Sequence, residues 1–446
     1  MIRLLRYLIG VGLLVAGAVW LADRPGAVSL DWLGWHVETS MPLLLLICAL
    51  AAFLLLWLVR LLGLLIGVPG IFGRMRAERR HRQGYESLTR GLVAVAAGDP
   101  KEALRQARKA DSLLDSPPLS LLLAAQAAQL AGDEEAATQH FDAMLKRKET
   151  EFLALRGLIT QALKRGDRTS ALIQARKAYA LKPDAEWVIL ALFDLLIEER
   201  AWEEALELVT KSAKRHLMQD DLAKRRSAIL TLELANQSVD SQHALKLAET
   251  AFDLLPELPA SAVLAARLLG AKGKQSKAAR LLERAWTANP HPSLVDCLKS
   301  LSEGEDAVRF VLAVERLVAG APKNIESHIA VAKAALDARL WGKARSALEP
   351  VLAAERPQAR VLALMAAIDE GEGRLSDSVA WIRRLSTAQS NPVWLCLSCG
   401  AMADDWSSIC PACHGFDRLA WRSPEHLLHL EDASSSSRAL PDEVGA

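Results

Sequence analysis

Two long apolar stretches lie near the start of the chain, and the remainder alternates apolar and polar positions at helical spacing. Tyr7 to Ala22 is 16 residues without a charge, preceded by Arg3 and Arg6, and it lengthens if Leu4 and Leu5 are counted. Thr39 to Val59 is 21 residues without a charge. A helix rises ~1.5 Å per residue, so about 20 residues cross the ~30 Å hydrocarbon core; the second stretch qualifies and the first is marginal. A cleaved secretory signal is the rival reading of the first, with Ala16-Gly17-Ala18 as its small-residue site. A second span close behind it is instead the pattern of a retained hairpin.

From Gly84 onward helix follows helix, separated by short polar breaks with a fixed period. Gly98-Asp99, Gly132-Asp133 and Gly166-Asp167 recur every 34 residues, and the next step reaches Arg200. Five residues after each marker stands an alanine (Ala103, Ala137, Ala171, Ala205), where a small side chain lets the second helix of a pair approach the first. Ala244, Ala278 and Ala344 keep the same relation to Val239, Gly273 and Arg339, although only Gly273 keeps the glycine. Gly371 to Leu385 reads as a final, atypical unit. Period and alanines resemble the tetratricopeptide repeat, with Ala178 and Pro183 at that family's positions in the third unit. Most units lack its Trp, Tyr and closing Pro. The resemblance implies about eight helix pairs over residues 84–387, stacked so that a concave face offers an extended surface to peptides or proteins.

Composition agrees with helices joined to a membrane part. Hydrophobic residues are 51% and charged residues 24%, with a mean hydropathy of +0.13. Aromatic residues are only 5%, and Ala and Leu predominate over β-branched types, which disfavours a mainly sheet-built chain. With 54 Lys+Arg against 53 Asp+Glu the net charge is +1, so the whole molecule offers no argument for nucleic acid. Charge is local instead. Arg3 and Arg6 precede the first stretch, and Arg60, Arg74, Arg76, Arg79, Arg80 and Arg82 follow the second, whereas the segment between holds Asp23, Arg24, Asp31 and Glu38. Both ends of the chain are therefore expected on the cytoplasmic side. The arginine cluster is a stop-transfer flank that can also hold anionic lipid headgroups.

Six cysteines are too few for a disulfide scaffold, yet four fall within 18 positions. Cys396-Leu397-Ser398-Cys399 and Cys410-Pro411-Ala412-Cys413 form CxxC, ten residues, CxxC. Each CxxC can turn two thiolates towards one ion, and two such knuckles complete a closed tetrahedral site, typically for Zn²⁺; four sulfurs also suit a single iron. A site filled by four protein ligands leaves no position for water, so the metal is expected to be structural. Trp394, Trp406, Phe416 and Trp421 are expected to shield this small module. Cys410-Pro411 with His414 nearby is a weaker match to a haem-regulatory dipeptide, because that cysteine is already used. Cys48 and Cys297 read as ordinary buried residues.

The sequence contains no GxxxxGK[ST], no GxGxxG opening a helix, no HExxH and no GxSxG. Its ten histidines are scattered, none at metal-ligand spacing with a carboxylate. An interaction protein is expected rather than an enzyme.

The segment Arg24 to Ser40, which includes Pro25-Gly26-Ala27-Val28-Ser29-Leu30-Asp31-Trp32-Leu33-Gly34-Trp35, resembles the N-terminal region of HemY-type proteins, as do the leucine-rich span and arginine cluster behind it. Gly84-Tyr85-Glu86-Ser87-Leu88-Thr89-Arg90-Gly91-Leu92, running into Ala97-Gly98-Asp99, resembles the start of that family's repeats. The resemblance implies a bacterial inner-membrane scaffold tied to a late step of haem or porphyrin synthesis, with membrane-associated haem-synthesis enzymes as partners. It carries over no catalytic residue. Many such proteins end at the repeats, however. The CxxCG and CPxC at this position also resemble LapB-type proteins, which are lipopolysaccharide-assembly adaptors with a rubredoxin-like domain but typically one span.

The expected architecture is all-α: a two-span transmembrane hairpin over residues 1–73 and a basic juxtamembrane linker over 74–83, then a tetratricopeptide-like α-solenoid over 84–387. A metal-binding ribbon or knuckle module comes next over 392–424, and then a disordered tail over 425–446.

Overall fold

The computed structural model describes residues 26–424 except 33–34, 115–117, 303 and 305, together with residues 9, 12, 15–17, 19 and 20. The first apolar stretch lies largely outside the described residues, and the tail 425–446 lies wholly outside them. The chain divides into two compact units, Met1–Arg147 and Lys148–Ala446.

In the first unit, most of the segment expected as a loop between spans is a two-stranded antiparallel ribbon. Strand β1 (Ala27–Trp32) pairs with β2 (Trp35–Ser40), in register from Ala27 opposite Ser40 to Trp32 opposite Trp35. Val28, Leu30 and Trp32 alternate with polar partners on one strand, as Trp35, Val37 and Thr39 do on the other, and this period of two suits a strand better than a loop. Ser40 then leads straight into a 56-residue helix, Met41–Ala96. Its first part, Met41–Leu61, has a mean hydropathy of 2.8 and buries nothing in the protein, so this stretch is long and apolar enough to cross a membrane. Cys48 is correspondingly exposed on the span and not buried as expected. The basic segment 74–83 is helical within the same rod, because its run of Arg, Ala, Glu, His and Gln contains no residue that breaks a helix.

The last turns of that helix open the first helix pair. Leu88 packs with Ala107, Ala110, Leu114 and Leu123 of helices Pro100–Leu114 and Pro118–Ala131. Gly84 and Gly91 permit the approach: a Cβ at either would fall 2.3 Å from a carbon of Leu114 or Leu123 respectively. Helix Glu134–Leu145 completes the unit.

Seven further pairs of described helices make up the helical part of the second unit, from Lys148–Lys164 with Arg168–Leu181 to Ala359–Gly371 with Leu375–Arg384. The breaks explain the period. Gly98, Gly132 and Gly166 adopt φ of 75°, 76° and 72°, the left-handed turn that ends a helix, and the N–H of the next residue reaches back to Ala94, Ala128 or Ala162. Asp133 and Asp167 then cap the following helix, accepting from Ala136 and Ser170 at 3.0 Å. Ala103, Ala137, Ala171, Ala205 and Ala278 are wholly buried, and Ala344 likewise. Arg200 and Arg339 keep this geometry without the glycine, at φ 55° and 57°, whereas Val239 does not adopt a positive φ. This conformation costs a side chain about 1–2 kcal/mol, so Arg200→Gly should raise stability by about 1 kcal/mol after the entropy cost of glycine. A shifted urea midpoint with unchanged slope would show this.

The core of the second unit centres on Trp286, Phe252, Leu282 and Leu294. The atypical last pair is tied by buried Asp369, which accepts from Trp381 Nε1 at 2.8 Å and from the guanidinium groups of Arg345 and Arg374.

Candidate metal centre and the repeat face it covers

After helix Leu375–Arg384 the chain crosses back along the repeats. Gln389 N–H donates to Pro357 and Ala359 N–H to Gln389, at 3.1 and 2.9 Å. It then forms a three-stranded antiparallel sheet in which β3 (Val393–Cys396) lies between β4 (Met402–Ala403) and β5 (Leu419–Arg422). Cys396 ends β3 and begins the first knuckle. Its N–H donates to Ala401 O at 2.8 Å and its carbonyl accepts from Gly400 N–H at 2.9 Å, with Gly400 at φ 73°. The second knuckle repeats the same bonds: Cys410 N–H donates to Gly415 O at 3.0 Å, its carbonyl accepts from His414 N–H at 2.9 Å, and His414 stands at φ 56°. His414 thus fills the turn position that glycine fills in the first knuckle.

The knuckles bring all four expected cysteines together. Cys396, Cys399, Cys410 and Cys413 place their sulfurs within 4.8 Å of one another. Cys396 and Cys413 sulfurs are 3.7 Å apart, those of Cys399 and Cys410 3.8 Å. A tetrahedron with metal–sulfur bonds of about 2.3 Å has edges of about 3.8 Å, so this donor set fits one four-coordinate ion. Crowding splits the thiols. Burial resists ionisation of Cys410, but the N–H groups of Cys413 and Ala412 and the thiols of Cys396 and Cys413 outweigh it and lower the group to about 7. Cys399 receives the Ala401 N–H, yet desolvation and the neighbouring sulfurs push it up to about 12. A cation among the sulfurs removes this conflict by stabilising every thiolate at once.

Trp394, Trp406 and Trp421 pack around Cys396, Cys410 and Leu419, as expected of shielding residues. Phe416 does not. It points to the repeats, joining Ile229, Leu232, Ala251 and Leu258 and meeting the Phe193 ring edge-on at a centroid distance of 5.4 Å. The module lies against the first helices of successive pairs, Glu186–Glu198, Asp220–Gln237 and Pro259–Ala271. Arg225 holds Asp417 by two bonds of 2.5 and 2.7 Å. Arg226 lies over the Phe193 ring at 4.3 Å. Sequence reasoning misses these docking residues, because Arg225 and Asp417 are 192 positions apart and each alone reads as a surface charge.

His291 is a further residue that the sequence does not single out. It is buried, caps helix Pro292–Leu301 through Nδ1, and packs its ring on Trp421 and Trp394 at 4.5 and 5.1 Å. Burial, and then the charge of Arg360, lower it from 6.5 to about 4. Between these pH values the unfolded chain binds a proton that the folded chain refuses, so stability should fall as pH drops from about 6.5 towards 4. Urea midpoints at several pH values should show the fall, and His291→Asn should flatten it. Elsewhere, Arg76, Arg79, Arg80 and Arg82 are exposed along the long helix, Arg74 lies within it, Cys297 is buried, and His328 bonds Ala347 O through Nδ1 at 3.0 Å.

Residues 26–132 match the family described as HemY protein N-terminus. A probable magnetosome protein, Mms48 of Magnetospirillum gryphiswaldense, is 28% identical over 98% of both chains. Protein HemY of Escherichia coli K12 is 26% identical over 48% of this chain and 55% of its own length. Among solved structures, Naa15/Naa10 bound to HypK-THB aligns at 15% identity over 72% of this chain and 60% of that one, with a TM-score of 0.41. The ribbon, apolar helix and first repeats are thus similar to the N-terminal region of HemY proteins, and a tetratricopeptide-like array and a four-cysteine cluster follow them.

Proposed function

We propose that the protein is a membrane-anchored, non-enzymatic scaffold whose helical repeats bind partner proteins at the cytoplasmic face of a bacterial inner membrane. The observation that carries this reading is the uninterrupted helix Met41–Ala96, which joins an apolar span to the packed face of the first repeat. A protein captured by the repeats is thereby confined near the bilayer, which raises the effective concentration of partners that exchange a poorly soluble intermediate. The likeness to HemY supports membrane-associated enzymes of late haem synthesis as those partners. Two spans, residues 1–73 in all, would form the anchor, with Arg74, Arg76, Arg79, Arg80 and Arg82 beside anionic headgroups. Cys396, Cys399, Cys410 and Cys413 would hold one Zn²⁺ or iron ion, which closes the 392–424 module and keeps it on the repeats.

The test is affinity purification from native membranes in mild detergent, with mass spectrometry and an absorption spectrum of the same sample. Terminal haem-synthesis enzymes should be recovered. Recovery of a membrane protease or lipopolysaccharide-assembly factors in their place would overturn the haem assignment in favour of a LapB-type adaptor.

A further inference from the structure

A cavity of about 620 Å³ lies where the cysteine module rests on the repeats. Helices Asp220–Gln237, Pro259–Ala271 and Pro292–Leu301 line one side, and strands β3 and β5 with residues 404–407 line the other. The site is therefore complete only while the module is folded and docked. Its charged lining is Glu233 and Asp296 from the repeats, Asp404 and Asp405 from the module, and one cation, Arg267. None of these carboxylates has an ion-pair partner among the described residues, so negative charge is in excess. The indoles of Trp394, Trp406 and Trp421 stand among them.

A second observation is independent of charge. His291 also lines the cavity and is only 4% exposed. Its Nδ1 accepts from Ser293 N–H at 3.1 Å, so the neutral ring carries its proton on Nε2. That N–H and the indole N–H of Trp421, whose ring meets His291 at 4.5 Å, are both buried without an acceptor among the described residues. Buried donors in folded proteins normally have partners.

The two observations together select the occupant. An anion would satisfy the donors but meet the carboxylates, and a bare cation would satisfy the carboxylates but leave the donors unpaired. A peptide does both, because its main-chain carbonyl is a neutral acceptor and an arginine or lysine side chain supplies the positive charge. Guanidinium and ammonium groups also lie favourably against indole faces. We propose that this cavity binds a basic peptide segment of a partner protein, its cationic side chain among Asp404, Asp405, Glu233 and Trp406 and its main chain towards His291 and Trp421. This deepens the scaffold reading and rests on it, naming the chemistry of the partner and one place on the repeats that receives it.

The test uses the full, metal-loaded chain in detergent and the labelled, end-capped peptide Gly-Arg-Gly-Arg-Gly, read by anisotropy. It should bind about tenfold more tightly than the same peptide with neutral citrulline for arginine. The double substitution Asp404→Asn, Asp405→Asn should weaken binding about tenfold, and Trp421→Phe, which keeps a ring but loses the N–H, about fivefold. Glu203→Gln with Glu249→Gln, exposed acids on other helices, should change nothing. If Trp421→Phe loses the protease resistance of the module, the aspartate pair decides alone. Equal binding of the citrulline peptide, or an unaffected aspartate variant, overturns the proposal. Spermidine binding as tightly as the arginine peptide assigns the cavity to a free polyamine and overturns it too. Purification from native membranes separates this site from the scaffold reading. Partners recovered equally by the unmutated chain and the aspartate variant keep the scaffold and overturn the site; arginine-peptide binding with no partner recovered keeps the site and overturns the scaffold.

Discussion

Cys410→Ser should abolish metal retention and detach the C-terminal module from the repeats. Cys410 is the buried sulfur on which the second knuckle converges, and serine there leaves three thiolates around an ion that needs four. The module cannot compensate by packing. Its strands are four, two and four residues long, and its buried apolar residues besides the cysteines are Trp394, Leu395 and Leu419. Closed tetrathiolate sites in small domains contribute about 10–16 kcal/mol of apparent binding energy at neutral pH, far more than so small a core supplies. The unmutated protein should hold about one ion per chain by elemental analysis. The variant should hold none and be cut by protease between residues 393 and 422, with Trp406 and Trp421 emission shifted to the red. A chelator should reproduce these changes in the unmutated chain. A variant that keeps its protease resistance without metal would show that docking against Phe193 and Arg225 alone folds the module.

Trp286→Ala should produce the largest loss of stability among the repeats, about 3–5 kcal/mol. This indole is wholly buried where helices Gln275–Ala288, Pro292–Leu301 and Ile325–Asp337 meet, and its Nε1–H donates to Ser327 Oγ at 2.9 Å. Deletion leaves a void that neighbouring rigid helices cannot close. Trp286→Phe separates the contributions. It keeps most of the volume, and the Ser327 hydroxyl still donates to Ala321 O at 2.7 Å, so the cost should fall to about 1–2 kcal/mol. Urea unfolding of both variants measures the difference.

The repeats are legible in the sequence because their signals are local. A left-handed turn selects Gly98, Gly132 and Gly166, a close helix crossing selects Ala103 and its successors, and both requirements recur at the repeat length. The knuckles are legible for a similar reason, since each pair of cysteines lies within one turn of chain. The ribbon over Ala27–Ser40 escapes a sequence reading because its alternation is short and lies between stretches that read as spans, where a plain loop is the simpler expectation. Phe416 misleads because an aromatic residue three positions after a cysteine reads as a lid for that site, whereas its partners Phe193 and Ile229 come from distant repeats. His291, Arg225 and Asp417 carry no local pattern, and tertiary packing alone brings them into contact with their partners.

The helix Met41–Ala96 has a mechanical consequence. A rod of 56 residues is roughly 80 Å long, and its hydrogen-bonded backbone carries tilt and torsion along its axis. Tilt of the apolar stretch Met41–Leu61 in a bilayer is therefore passed along one continuous axis to the arginine-rich turns and the first repeats, which move with it as one lever.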